Sequence, residues 1–387
     1  MIEKSTSPET IYPLTSIRFF AAFYVVLVHS VEMTHHVEIA TWGGRFLRSG
    51  YTAVGFFFVL SGYILAHVYL NTERPFIRRD FWLSRFARAY PLLLASLFLD
   101  WPRDLVARVA LHGLRSGILR SFVELISETL LLQSWYPIFR GINGPSWSIS
   151  AEAFFYLLFP FVAIWIWRRK GLKAIGLIVL FWACALLTPF LVELRYPALF
   201  VEVDSSKLQI SVELMPVCRM FEFFAGIALC SVQRSLAKKS TGVQRVRLAY
   251  LFIGLACIFF AVAIQFANDI PLLVMSNGIL LPVSALMILG LVNLRGWLFA
   301  VLSNRYLILL GEASYAIYLL HIPIWFYFED IHPIDSLSAW ILFVVIVLVV
   351  SIASFVWLER PTRKAILRLA NSRPRVTLDQ ESATPYR

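Results

Sequence analysis

Six stretches of this chain run without a single Lys, Arg, Asp or Glu: residues 52–70, 174–192, 248–267, 270–294, 314–328 and 336–358. A hydrocarbon core takes roughly 20 residues of helix to cross. It holds no water to satisfy a bare backbone, so only helices and closed barrels cross it. Three further runs, 14–32, 148–167 and 214–233, are apolar but for one or two charges each. Composition agrees: 59% of the residues are hydrophobic, 15% are charged, and the mean hydropathy is +0.72. Period-2 alternation over about ten residues does not recur, which argues against a transmembrane barrel. The expected fold is an all-α polytopic transmembrane bundle.

Basic residues set its orientation. Arg74, Arg78, Arg79, Arg85 and Arg88 form one cluster, Arg168, Arg169, Lys170 and Lys173 a second, and Arg234, Lys238, Lys239, Arg245 and Arg247 a third. By the positive-inside rule these face the cytoplasm, and the net charge of +11 reports topology more than nucleic-acid binding. The segments 193–213, 268–269 and 329–335 go outside, and the loop with His35 and His36 is wet. Between Arg88 and Ser148 the chain has to cross an odd number of times. It offers two short apolar pieces, 89–99 and 121–135, with Arg103, Arg108, Arg115 and Arg120 between them. One piece is expected to cross and the other to be re-entrant or interfacial, with a basic helix separating them; 297–310 is expected not to cross. This gives about ten crossings with both termini cytoplasmic. A membrane domain over 1–360 and a polar, basic, disordered cytoplasmic tail over 361–387 complete the layout.

No small-residue cleavage site follows the first apolar run, so it is read as a span and not as a signal peptide. Cys184, Cys218, Cys230 and Cys257 lie inside apolar runs without CxxC spacing and read as small buried residues, neither a disulfide framework nor a metal site.

The first span holds two ionisable residues that are costly in lipid, Arg18 and His29. Eleven residues of helix advance about 16 Å and close three turns plus roughly 20°, so the two side chains share a face. Taken alone, Arg18 reads as a residue snorkelling to lipid phosphate. A histidine that deep more often faces a cavity or a pathway.

Six motifs in order carry a resemblance: IRFFAAFYVVLVHS with its Arg-x10-His spacing, GFFFVLSGYIL, FWLSRFARAYP, GPSWSISAEAFFYLLFP, LGEASYAIYLLHIPI and LERPTRK. Nearly end to end, the chain resembles acyltransferase family 3, the bacterial integral-membrane O-acyltransferases that move acyl groups from cytoplasmic acyl-CoA to carbohydrates and some other acceptors. Thr15-Ser16 replaces the Asp-Gly usual before the first-span arginine, and Ala153 stands where many members have a second glutamate.

The resemblance implies an inner-membrane enzyme with acyl-CoA, first of all acetyl-CoA, as co-substrate, a cell-envelope or secreted carbohydrate as acceptor, and no metal. An acyl-CoA is a polyanion, and arginine grips phosphate bidentately. Arg85 and Arg88 share a helix face at i, i+3 and lead into Tyr90-Pro91, so with Arg18 they are assigned to the donor. His29, with an ordinary pKa near 6.5, suits the general base that takes the hydroxyl proton. An acyl-histidine intermediate stays open beside direct transfer. Glu152 reads either as a helix N-terminal acid or as a catalytic residue that orients a histidine or meets the acceptor. Trp147 offers a face for a sugar, and His321 is either an interhelical hydrogen-bonder or part of the acceptor site. Arg219 and Glu222, at i, i+3, read as a structural ion pair within the membrane.

GxSxG, P-loop, HExxH and GxGxxG motifs are all absent. Two alternatives remain at this stage: a proton-coupled transporter, against which stands the lack of an internal repeat, and an acyltransferase with a lipid, antibiotic or other non-glycan acceptor.

Overall fold

The computed structural model describes residues 10–34, 41–71, 75–135, 141–195 and 214–371, and all regular structure among them is helical. His35, His36, Arg74 and nearly all of the 193–213 segment lie outside the described residues. The chain runs α1 (Tyr12–Thr34), α2 (Trp42–Arg48), α3 (Ala53–Leu70), α4 (Arg78–His112), α5 (Leu114–Thr129), α6 (Trp147–Trp167), α7 (Leu172–Arg195), α8 (Pro216–Lys239) and α9 (Gly242–Gln265). It continues through α10 (Leu272–Ser276), α11 (Leu281–Asn293), α12 (Trp297–Leu302), α13 (Arg305–Glu312), α14 (Ser314–Ile331), α15 (Leu337–Ser354) and α16 (Arg360–Asn371).

Among the described residues, 7 helical segments are long and apolar enough to cross a membrane, and 8 if α13 and α14, bent by 60°, form one broken span. The expected ten requires α4 and α8 to cross as well; both are long enough, at 35 and 24 residues, but both are interrupted by charge. The bundle centres on α3 and α8, which touch backbone to backbone. A Cβ added at Gly62 would collide with the Phe223 carbonyl, and one at Gly226 with the Val59 carbonyl. Small residues at a helix crossing give this approach its dispersion energy in a medium where lipid offers no hydrophobic drive. Phe81, Phe155, Phe159 and Phe223, all fully buried, fill the layer between α3, α4, α6 and α8 with stacked and edge-on ring pairs.

Three expectations are corrected. First, there is no separate basic helix between 99 and 121. Residues 89–99 lie mid-way along α4, 121–135 begins within α5, and the intervening arginines belong to the two arms of one α4–α5 hairpin. Two of the four are paired inside it. Arg103 pairs with the buried Asp100 at 2.7 Å, while Arg108 pairs with Asp104 at 2.8 Å and with Glu124 of the other arm. Ser121 donates to Asp104 at 2.8 Å. Past the exposed Arg115, Ser116 and Arg120, α5 turns Phe122, Val123 and Ile126 outward and buries Ser121, Glu124, Ser127 and Glu128. That inversion is the pattern of a helix facing lipid.

Second, the uncharged run 270–294 is long and apolar enough to cross, as expected, but not as one continuous helix. It breaks between α10 and α11 at Gly278, whose φ of 87° glycine adopts without strain. The broken backbone finds partners in the fully buried Arg219 and Glu222 of α8, themselves 3.2 Å apart. Arg219 donates to the Ser276 carbonyl and, at 2.9 Å, to Asn277 Oδ1, while Gly278 N–H donates to Glu222 at 3.2 Å. Irregular backbone at this depth requires such partners.

Third, the tail is not disordered from residue 361. A π-helical turn, Phe355–Glu359, joins α15 to α16, and the helix continues to Asn371.

Candidate functional site

A cavity of about 150 Å³ opens between α1, α3, α4, α6 and α14. Arg18, Arg85, Arg88 and Glu152 line it together with Ser61, Tyr156 and Tyr315, while Val54, Phe57, Phe58, Leu60, Ile64 and Ile149 supply an apolar wall. The sequence-predicted donor residues and Glu152 are thus brought to one place. Trp147 does not line it; its ring packs edge-on against Phe58 at 6.1 Å.

Each polar wall residue is held differently. Ser61 Oγ donates to Glu152 Oε1 at 2.7 Å, and the Tyr156 side chain lies beside the same carboxylate. Arg85 donates to Ser84 Oγ at 3.0 Å and lies over the Tyr69 ring at 5.7 Å. Tyr315 donates to the Ala89 carbonyl at 2.7 Å, tying α14 to α4. Arg18 and Arg88 differ from these. Among the described residues neither makes a hydrogen bond, although Arg18 lies within charge–charge range of Arg88, Glu152 and Glu359. Glu359, 9% exposed, in turn lies within range of Arg88, Arg18 and Arg363, so the far end of the chain closes the same charged site.

His29 and His321 lie beyond that cavity. His29 Nδ1 is 2.9 Å from His321 Nε2, the rings are 5.1 Å apart and 22° from parallel, and His321 is 1% exposed. His321 Nδ1 is 3.2 Å from the Ile317 carbonyl. The group against His29 is therefore a second histidine and not Glu152, which stays with the arginines. Tyr318 links the two places: it lines the cavity, and its ring centre is 6.3 Å from that of His321.

Two prolines explain how the site helices are anchored. Pro323 in α14 has no N–H for the Leu319 carbonyl one turn back, and the buried Asn143 supplies the missing donor through Nδ2 at 2.8 Å. Pro160 in α6 leaves the Tyr156 carbonyl open in the same way, and Trp82 Nε1 fills it at 2.9 Å. Inside a membrane a freed carbonyl costs several kcal/mol if left bare, so these contacts fix the helices that carry His321 and Glu152. The segment containing Asn143 is held by Glu128, which accepts from Ile142 N–H and, at 2.9 Å, from Ser146 Oγ.

Sequence reasoning gave no role to Ser61, Tyr156, Tyr315, Glu359 or Arg363. The signal for Ser61 is a lone serine inside an otherwise apolar and aromatic motif, and Glu359 and Arg363 fall in the LERPTRK stretch.

Comparison with known proteins fixes the class. The family model described as an acyltransferase domain, that of acyltransferase family 3, matches residues 11–360, and the chain belongs to that family. It is a multi-pass membrane acyltransferase. The chain is 30% identical to acyltransferase MdmB of Streptomyces mycarofaciens over 329 residues, covering 80% of this chain and 77% of that protein. It is 25% identical to the putative peptidoglycan O-acetyltransferase YrhL of Bacillus subtilis over 388 residues, 94% of this chain but 56% of YrhL. A putative O-acetyltransferase of Staphylococcus aureus is 23% identical over 350 residues, 85% of this chain and 55% of its own. The chain thus spans little more than half the length of the latter two. No solved structure matches it.

Proposed function

We propose that this acyltransferase moves a short acyl group, acetyl first of all, from acyl-CoA at the cytoplasmic face of the inner membrane to a hydroxyl of a cell-envelope or secreted carbohydrate. The observation that carries the reading is that Arg18 and Arg88 face the cavity without a hydrogen-bond partner among the described residues. Guanidinium groups so placed are matched to a polyanion. Arg85 adds a third charge, and Glu152, held by Ser61, keeps Arg18 compensated when no donor is bound. The apolar wall of α3 suits the uncharged arm that carries the thioester inward.

His29 lies about 16 Å along the same helix from Arg18, where the acyl end of a donor anchored at the arginines meets an acceptor from the other side. The acceptor oxygen attacks the thioester carbonyl carbon and its proton passes to His29. The carbon–sulfur bond then breaks, and the proton moves on to the departing thiolate, leaving an ester and free CoA thiol. Trp147 offers the acceptor an aromatic face. The name of YrhL supports a glycan acceptor.

The test is mass spectrometry of envelope and secreted glycans from a deletion strain carrying wild type or His29→Ala at matched membrane levels. Wild type restores an acyl mass increment and His29→Ala does not. A wild type that restores none rejects the glycan acceptor, and a His29→Ala strain that restores it fully rejects His29 as the base.

A further inference from the structure

His321 sits where a triad enzyme would place a carboxylate, and the hydrogen-bond chain fixes which nitrogen carries each proton. The Ile317 carbonyl can only accept, so at 3.2 Å His321 Nδ1 is the protonated nitrogen. A neutral imidazole has one N–H, which leaves His321 Nε2 with a lone pair. His29 Nδ1, 2.9 Å away, therefore donates to it, and the remaining lone pair of His29 is on Nε2, the ring nitrogen turned away from His321. Two protonated nitrogens facing one another at 2.9 Å would repel, so a single proton lies between the rings, and with both imidazoles neutral the order runs Ile317 carbonyl, His321, His29.

We infer that His321 is a positioning residue that sets the tautomer of His29 and presents His29 Nε2 as the base, in place of meeting the acceptor itself. The inference rests on the reading of His29 as the general base. Burial supports it: His321 is 1% exposed and is enclosed by its own helix, α1 and the segment before α6, leaving no room for a sugar. Among the described residues the titratable groups that face it are His29 from α1 and Tyr318 from its own helix; α15, packed on the other side of α14, presents Trp340, Phe343 and Val347. When His29 Nε2 takes the acceptor proton, the Nδ1–H bond to His321 becomes charge-assisted and shortens. The imidazolium is then steadied by a neutral lone pair. Among the described residues no carboxylate contacts the pair, and the proton returns to the thiolate as the carbon–sulfur bond breaks. Pro323 and Asn143 serve the same end, because they lock the turn of α14 that carries His321.

The experiment compares His321→Leu and His321→Gln with wild type and His29→Ala. Gln Oε1 can take the place of Nε2 as an acceptor for His29 Nδ1–H, and Leu cannot. Two quantities are read: base-labile acetate esters on cells and in the medium, which needs no knowledge of the acceptor, and binding of acetyl-CoA to the purified full-length protein. His321→Leu is expected to fall about 100-fold, toward His29→Ala, with acetyl-CoA binding unchanged, and His321→Gln to stay within about tenfold of wild type. A His321→Leu variant with the wild-type rate, or a His321→Gln variant that binds acetyl-CoA yet is as slow as His321→Leu, overturns the proposal. Wild type that binds acetyl-CoA and forms no ester overturns the underlying reading along with it. Solid-state NMR of wild type labelled with 15N-histidine in bilayers needs no variant at all: protonated Nδ1 and unprotonated Nε2 on both rings are expected. Nε2 protonated on either ring sinks the inference.

Discussion

The two ends of α1 are built on opposite electrostatic plans. At Arg18 the surroundings are ionic, with Arg88, Glu152 and Glu359 all within charge range and Tyr315 and Tyr156 lining the same space. At His29 the described surroundings are uncharged: one further imidazole and a backbone carbonyl behind it. A polyanion needs the first environment, because fixed cations in a low-dielectric wall bind phosphate far more strongly than they would in water. A base that must give its proton back needs the second, because a nearby carboxylate would hold the imidazolium. One rigid helix keeps the two environments at a fixed separation, so binding and proton transfer should fail independently.

Removing the neutral end should have the largest effect. His29→Ala is expected to lower transfer by about 10²–10⁴-fold with acetyl-CoA affinity intact; a matching loss of affinity by calorimetry would show that the two ends act as one site. Next comes the ionic end. Arg88→Gln deletes a charge-assisted contact of about 1.5–3 kcal/mol and should raise the donor KM roughly 10- to 100-fold with kcat little changed. A fall in kcat alone would place Arg88 with the chemistry. Asn143→Leu bares the Leu319 carbonyl at a cost of about 1–3 kcal/mol and should slow transfer while sparing donor affinity, since it acts on the helix of His321. The smallest change is Ser61→Ala, which removes one hydrogen bond from Glu152, about 0.5–1.5 kcal/mol. It should weaken donor binding by no more than about tenfold and leave the rate at saturating donor untouched.

What the sequence made legible follows from the reach of its signals. The spans were visible because hydropathy is local, and the shared face of Arg18 and His29 was visible because both lie on one helix. Arg103, Arg108, Arg115 and Arg120 suggest a separate basic helix, whereas Arg108 closes on Glu124 from 16 positions away, in the other arm of a hairpin. The break at Gly278 was hidden for the same reason, because its partners sit more than 50 residues upstream in α8. His321 could be flagged as a buried histidine, but nothing local could reveal that its partner lies 292 residues earlier.

The π-helical turn at Phe355–Glu359 sets the angular phase of everything that follows it. A π-turn accommodates one more residue than an α-turn, and one residue is worth about 100° of rotation. Trp357 is 78% exposed toward the outside, while Glu359, two positions on, is 9% exposed and turned toward Arg18 and Arg88. Spliced out by a single residue, the same sequence would swing Glu359 and Arg363 away from those arginines and present a carboxylate and a guanidinium to lipid. One extra residue in the last long helix thus acts as a key cut, bringing the end of the chain to bear on the charged pocket that its first helix opens.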